Sequence, residues 1–172
     1  NKGDFDEAME VYQLVINESP GLAKAYHHRG LLFASQNDLK SAIKDLTSAI
    51  ERNPNLARLY LDRGWIHESN GNTLLAMEDY TSAIRLDEKL AIAYYARGSL
   101  RYGRRELDLA MGDFSMGILL EPNNANLYLL RGNIHITSGN NVLAKNDLEM
   151  AISLSDDPDL TQRAQSTLDN LR

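Results

Sequence analysis

Apolar positions recur along this chain in short stripes of constant period. Tyr26, Arg29, Gly30 and Phe33 stand at i, i+3, i+4 and i+7, and Ala25 and Leu32 widen the stripe. Ala42, Leu46, Ala49 and Ile50 make a second stripe of the same kind. Both fit one face of a helix with about 3.6 residues per turn. The polar stretch Ser35-Gln36-Asn37-Asp38 lies between them and predicts a turn. The segment therefore reads as two helices joined by a short connection. Asn53-Pro54 and Asp157-Pro158 read as capping side chains placed before a proline in a first helical turn.

The same pattern returns every 34 residues. Tyr-x-x-Arg-Gly begins at Tyr26, Tyr60, Tyr94 and Tyr128, which sets Arg29, Arg63, Arg97 and Arg131 beside Gly30, Gly64, Gly98 and Gly132. An alanine follows each glycine (Ala42, Ala76, Ala110, Ala144), then an aspartate (Asp45, Asp79, Asp113, Asp147), then Leu46, Tyr80, Phe114 or Leu148. No insertion breaks the register. The period and residue types resemble the tetratricopeptide repeat family along nearly the whole chain. Pro20, Pro54 and Pro122 stand at the family's closing proline, Glu88 replaces one, and Pro158 falls two residues late. Arg replaces the family's Leu before Gly. His67, Arg101 and His135 replace an aromatic that survives only as Phe33, so the inner packing should be more polar than usual. The resemblance implies an all-α fold: an α-solenoid of antiparallel helix pairs wound as a right-handed superhelix.

The predicted organisation is a second helix of a preceding repeat over 1–22, repeats over 23–56, 57–90, 91–124 and 125–158, and a closing helix over 159–172. Residues 1–5 read as the turn before the first of these helices, whose Ala8, Tyr12 and Ile16 fill the slots of Ala42, Leu46 and Ile50. The face that would meet its missing partner is apolar. A chain that continues a longer array, or self-association through this open end, is expected. Leu160, Ala164, Leu168 and Leu171 make one apolar stripe on the closing helix. With Gly103, Gly112 and Gly117 added to Gly98, the third repeat should have the weakest second helix.

The periodic glycines and arginines have physical accounts. Glycine inside a helix costs about 1 kcal/mol relative to alanine. Its return at fixed spacing implies close helix approach, with Gly30 facing Ala42 or Ala49. The arginines lie on the inward stripe, where an unpaired charge is costly. The aspartates share their period. Pairing within a repeat, Arg29 with Asp45, is favoured over Arg63 with Asp45, because the second scheme sets Arg29 against Val11 and Asp147 against Gln165.

The two residues between Tyr and Arg vary from copy to copy: His-His, Leu-Asp, Tyr-Ala, Leu-Leu. They lie opposite the buried stripe, on the concave groove that first helices line in the resembling family, where peptides or partner helices bind. The groove residues expected on this basis are Lys24, His27, His28 and Leu31; Arg58, Leu61, Asp62 and Trp65; Tyr95, Ser99 and Tyr102; and Asn126, Leu129, Leu130 and Asn133. Ile92 and Ala96 fall on the same face. Trp65, Tyr95 and Tyr102 with the leucines give exposed apolar area, of the kind enriched at binding hot spots. The other reading is that they pack on one another. In the family's chaperone-tail subgroup, Lys and Asn side chains clamp a terminal carboxylate. The corresponding slots here hold His27, Leu31, Asp62, Ile92 and Ala96, which argues against that subgroup.

Net charge is −6, which argues against a nucleic-acid or anionic-membrane surface. No apolar run approaches the roughly 20 residues of a membrane span. Absence of cysteine excludes disulfides and thiolate chemistry and leaves the compartment open, with the cytoplasm favoured over secretion. His27 and His28 are adjacent and point about 100° apart on a helix, unlike a metal-binding i, i+4 pair. Arg101, Arg104 and Arg105 read as a solvated turn in preference to a phosphate site. No nucleophile, metal or cofactor set is present. The expected function is a non-catalytic protein-interaction scaffold for a peptide or helix, with a structural or self-assembly module, or the regulatory region of a larger protein, as the alternative.

Overall fold

The structure, a computed structural model, describes residues 2–171 and the side chains of residues 5–171. Among these residues all regular structure is helical. The chain divides into two compact units, residues 1–88 and 89–172. The first holds α1 (Lys2–Glu18), α2 (Ala23–Ser35), α3 (Leu39–Arg52), α4 (Ala57–Ser69) and α5 (Thr73–Leu86). The second holds α6 (Ala91–Gly103), α7 (Leu107–Leu120), α8 (Ala125–Thr137), α9 (Asn141–Leu154) and α10 (Pro158–Asp169).

In the first unit each helix packs on the next in sequence, and α2 also touches α4. Ala25 and Tyr26 of α2 meet Ile16 of α1, Ala49 and Ile50 of α3 and Leu59 of α4 in one buried cluster. A second cluster joins Ala42 and Leu46 of α3 to Ile66 of α4. In the second unit Ala110 and Phe114 of α7 pack with Leu127 and Ile134 of α8. Leu160 and Ala164 of α10 cover Tyr128, Leu129, Leu148 and Ala151, with Leu168 and Leu171 at the margin.

One turn slot recurs with the repeat. Asn37, Gly71, Arg105 and Gly139 all have positive φ, between 61° and 76°. This left-handed residue ends each first helix before the second begins. Glycine takes it freely, while an L side chain costs about 1–2 kcal/mol there. Arg105 is therefore the most strained of the four. Asp38 then caps α3 by accepting from the Ser41 N–H.

Two local expectations need correction, and a third holds. Residues 1–5 do not make a turn: α1 runs from Lys2, and Asn1 lies outside the described residues. A single glycine, Gly3, costs a helix only about 1 kcal/mol, too little to end it. Asn53 does not cap α4. It is the C-cap of α3, its N–H bonding to the Ala49 carbonyl, and Pro54 follows because it cannot continue a helix. Asp157 does cap α10, accepting from the Asp159 N–H with Pro158 at the first turn.

The glycines sit against large residues more than small ones. A Cβ on Gly30 would meet Leu46 at 3.2 Å, the Ala42 carbonyl at 3.3 Å and Asp45 at 3.3 Å, with Ala49 not among its nearest neighbours. On Gly64 it would meet the Tyr80 ring at 2.6 Å, and on Gly98 the Phe114 ring at 2.7 Å. Gly132 faces Leu148 at 3.3 Å. In the third repeat Gly117 admits Leu127 of α8, which a Cβ would meet at 2.8 Å, while Gly112 faces open space.

The contacts order the cost of substitution. Tyr80 is fully buried and its hydroxyl donates to Glu68 at 2.5 Å, so it cannot yield to a methyl group. Gly64→Ala should lose about 2–3 kcal/mol by overpacking. Gly30→Ala should stay within about 1 kcal/mol of wild type, because the helix-propensity gain offsets a mild crowding. Urea denaturation of the two variants checks this; equal costs would contradict the packing.

Candidate functional site

Each periodic arginine holds the aspartate of its own repeat with two donors. Arg29 Nε and Nη2 donate to Asp45 at 2.6 and 2.8 Å, and Arg63 donates to Asp79 at 2.8 and 2.7 Å. Arg97 and Arg131 do the same to Asp113 and Asp147. The remaining Nη1 reaches back to the previous second helix: Arg29 to Gln13, Arg63 to Thr47 and Arg131 to Ser115. Each of these three guanidiniums thus ties three helices together. Each of the four lies 5.7–5.8 Å over the ring of the Tyr three residues earlier. The hydrogen bonds to aspartate hold the Arg29, Arg63 and Arg131 groups above their ordinary pKa, against the opposing effect of burial. The four aspartates are 3–5% exposed, so the pairing neutralises charges that water cannot reach.

The slot three residues after each glycine joins this arrangement, which the sequence pattern did not reveal. Arg101 Nη1 donates to Asp113 at 2.8 Å, and His67 and His135 stand 3.9 and 3.7 Å from Asp79 and Asp147. The signal was in the chain: three of the four residues at this slot are basic, and each lies one helix from an aspartate. Arg101 is accordingly turned inward, and Arg104 donates to Glu106 at 2.7 Å, so neither joins Arg105 in a cationic turn free to take a phosphate.

The expected outward face is only partly outward. In the first unit Lys24, His28 and Arg58 are exposed, and His27, Leu31 and Trp65 are half-buried. Leu61 and Asp62 are buried, at 0% and 1% exposure. In the second unit Asn126 is exposed and Tyr95, Ser99, Tyr102, Leu130 and Asn133 are half-buried, while Leu129 and Ala96 are buried. Tyr95, Tyr102 and Leu130 pack against the cluster of Phe114 and Leu127. The correction has a simple cause. A wheel drawn for one helix pair has one buried stripe, whereas a first helix also touches the next first helix, α2 with α4 and α6 with α8. The buried arc is wider than the pair alone requires.

Around Trp65 the structure assembles a polar group. Asp62 accepts from Arg58 Nε at 2.8 Å and bonds His27 Nε2 at 2.6 Å, which links α4 to α2. Arg58 lies 5.6 Å over the Trp65 ring. His28 stacks on Tyr12 with ring centroids 6.0 Å apart. Among the described residues no group of three or more His, Asp or Glu is placed to hold a metal ion, and no helix is long and apolar enough to cross a membrane.

Residues 27–91 match the family model described as the tetratricopeptide repeat. Over that span, α2 to α5, the helix pairs are similar to the tetratricopeptide repeat. The crystal structure of MamA is similar with a TM-score of 0.82 at 23% identity, over 89% of this chain and 90% of that one. The crystal structure of YrrB, described as a TPR protein with an unusual peptide-binding site, gives 0.79 at 20% identity over 95% and 84%. The first TPR of Spaghetti (RPAP3), bound to an HSP90 peptide, gives 0.65 at 23% identity over 69% and 96%. At these identities the likeness establishes the tetratricopeptide fold. No curated protein matches the chain.

Within the repeat, His67 responds to pH. Burial pushes its pKa below the ordinary value near 6.5; Asp79 acts against this and Arg63 with it. Arg63 already neutralises Asp79, so the short distance to the carboxylate does not reverse the direction. The unfolded chain takes up the proton first as pH falls, so stability is full above about pH 6.5 and declines below it. The melting temperature should drop by a few degrees between pH 7.5 and 5.5. His67→Phe, with the residue type of the same slot at Phe33, should reduce that drop, as thermal melts at the two pH values would read; an undiminished drop would contradict it.

Proposed function

We propose that this protein is a non-catalytic interaction scaffold whose first helices bind a peptide segment or helix of a partner protein. The observation that carries the proposal is Trp65: a half-buried indole on α4 with the exposed Arg58 guanidinium over its ring, on a face where His28 and Lys24 of α2 are also exposed. Indole and guanidinium groups dominate binding energy at protein interfaces, and here both are already fixed in place. The second unit offers half-buried Tyr95, Tyr102 and Leu130 on the equivalent face, with part of their area committed to the core. Peptide binding by YrrB and RPAP3, whose fold this chain shares, supports the proposal by analogy of architecture.

A second function, assembly through the other helices, is favoured by a specific observation. The most exposed large apolar side chains lie on second helices: Leu74 at 66%, Leu119 at 73% and Val142 at 76%. On α1, Val11 and Leu14 are also exposed.

Paired affinity capture from a lysate of the source organism separates the two, with melting temperatures matched. Trp65→Ala should lose the captured partner, and Leu74→Glu on α5 should retain it. The opposite result, with mass by light scattering rising with concentration for the wild type alone, would move function to the second helices.

A further inference from the structure

Arg58 differs from the arginines that build the repeat. Arg29, Arg63 and Arg131 use Nε, Nη1 and Nη2, and their side chains are 14%, 19% and 22% exposed. Arg58 gives only Nε, to Asp62, and its side chain is 56% exposed. Neither Nη group donates a hydrogen bond to another described residue. We propose that Arg58 receives an acidic side chain of the bound partner segment, with an apolar neighbour of that residue resting on Trp65. This deepens the first-helix binding proposal and rests on it.

Helix stability does not account for Arg58. It stands in the first turn of α4, at the positive end of the helix dipole, where a cation is disfavoured. Its partner Asp62 is four residues later, the less favourable order for an i, i+4 ion pair. What the arrangement does achieve is orientation. Asp62 is buried and is held from the other side by His27 of α2, so it is a fixed anchor. Trp65 supports the guanidinium from below. A long side chain that would otherwise lose rotamer entropy on binding is set beforehand. Its free end is a planar pair of N–H donors, which matches the two oxygens of a carboxylate. The exposed residues of α2 on this face, Lys24 and His28, add no negative charge.

The chain has one tryptophan, so its indole N–H gives a single assignable signal in a proton–nitrogen correlation spectrum. The probes are N-acetylated, C-amidated Leu-Glu-Leu and Leu-Gln-Leu, which differ only in the charged group, and inorganic phosphate. The Glu peptide should move the Trp65 indole and Arg58 Nε–H signals at a concentration at least about fivefold lower than the Gln peptide, a conservative share of a charge-assisted hydrogen bond. Arg58→Lys, which keeps the charge and loses the fork, should bring that preference below about twofold at the indole. Equal effects of Glu and Gln, no shift with either, or an undiminished preference in Arg58→Lys would overturn the proposal. Phosphate acting at lower concentration than the Glu peptide would overturn it in favour of a phosphoryl ligand. Equal shifts at Trp65 would leave the first-helix binding face standing; that face fails separately, if capture is indifferent to Trp65→Ala.

Discussion

The structure depends on placing a guanidinium where it can serve three helices at once. An arginine on a first helix, an aspartate on the second helix of the same repeat and a polar residue on the second helix before it form one unit. The aspartates are almost wholly buried, with side-chain exposures of 4–8%. Removing the arginine alone would leave a carboxylate without water or partner, which costs about 3–5 kcal/mol. Such a pair adds little net stability over a well-packed apolar one, because desolvation offsets most of the attraction. Its use here is geometric. Bidentate pairing fixes how two helices sit along and around each other, and Nη1 extends that to a third. The glycines make it possible. Gly64 lets Tyr80 lie against α4, with Asp79 also among its closest neighbours.

With the scaffold constant, the remaining positions are free to differ. The slots of His27 and Tyr95, and of Asp62 and Leu130, show how. In the first unit the junction of first helices is polar, His27 bonded to Asp62. At the corresponding slots of the second unit stand Tyr95 and Leu130, which pack with Phe114 and Leu127. The same backbone thus presents a charged, aromatic surface in one unit and a mostly apolar one in the other. A partner would meet different chemistry on the two without any change in the repeat.

Much of this was legible from spacing alone. Tyr, Arg, Gly, Ala and Asp recur with one period, and only antiparallel helix pairs put all of them on inner faces. The within-repeat pairing of Arg29 with Asp45 followed from counting charges at the two ends of the array. What spacing could not supply was the third neighbour. Leu61, Asp62 and Leu129 read as outward because a helical wheel drawn for one pair knows nothing of the next first helix. From spacing, His67 and Arg101 read only as replacements for an aromatic. Their closeness to Asp79 and Asp113 depends on side-chain reach across a helix pair, which periodicity does not encode. The half-exposed state of Trp65 and the free end of Arg58 depend on the same reach.

The most direct test of the central claim is a double-mutant cycle on Arg63 and Asp79, read by equilibrium urea denaturation of Arg63→Leu, Asp79→Leu and the double variant. Arg63 with Asp45, the aspartate of the preceding repeat, serves as the control pair. Each single change at the native pair should cost about 3–5 kcal/mol, and the double should cost at least about 2 kcal/mol less than their sum. The control pair should be additive to within about 0.5 kcal/mol. Additive losses at Arg63 and Asp79 would contradict the account, since the pair would then act as two separate side chains and could not set the register of the repeat.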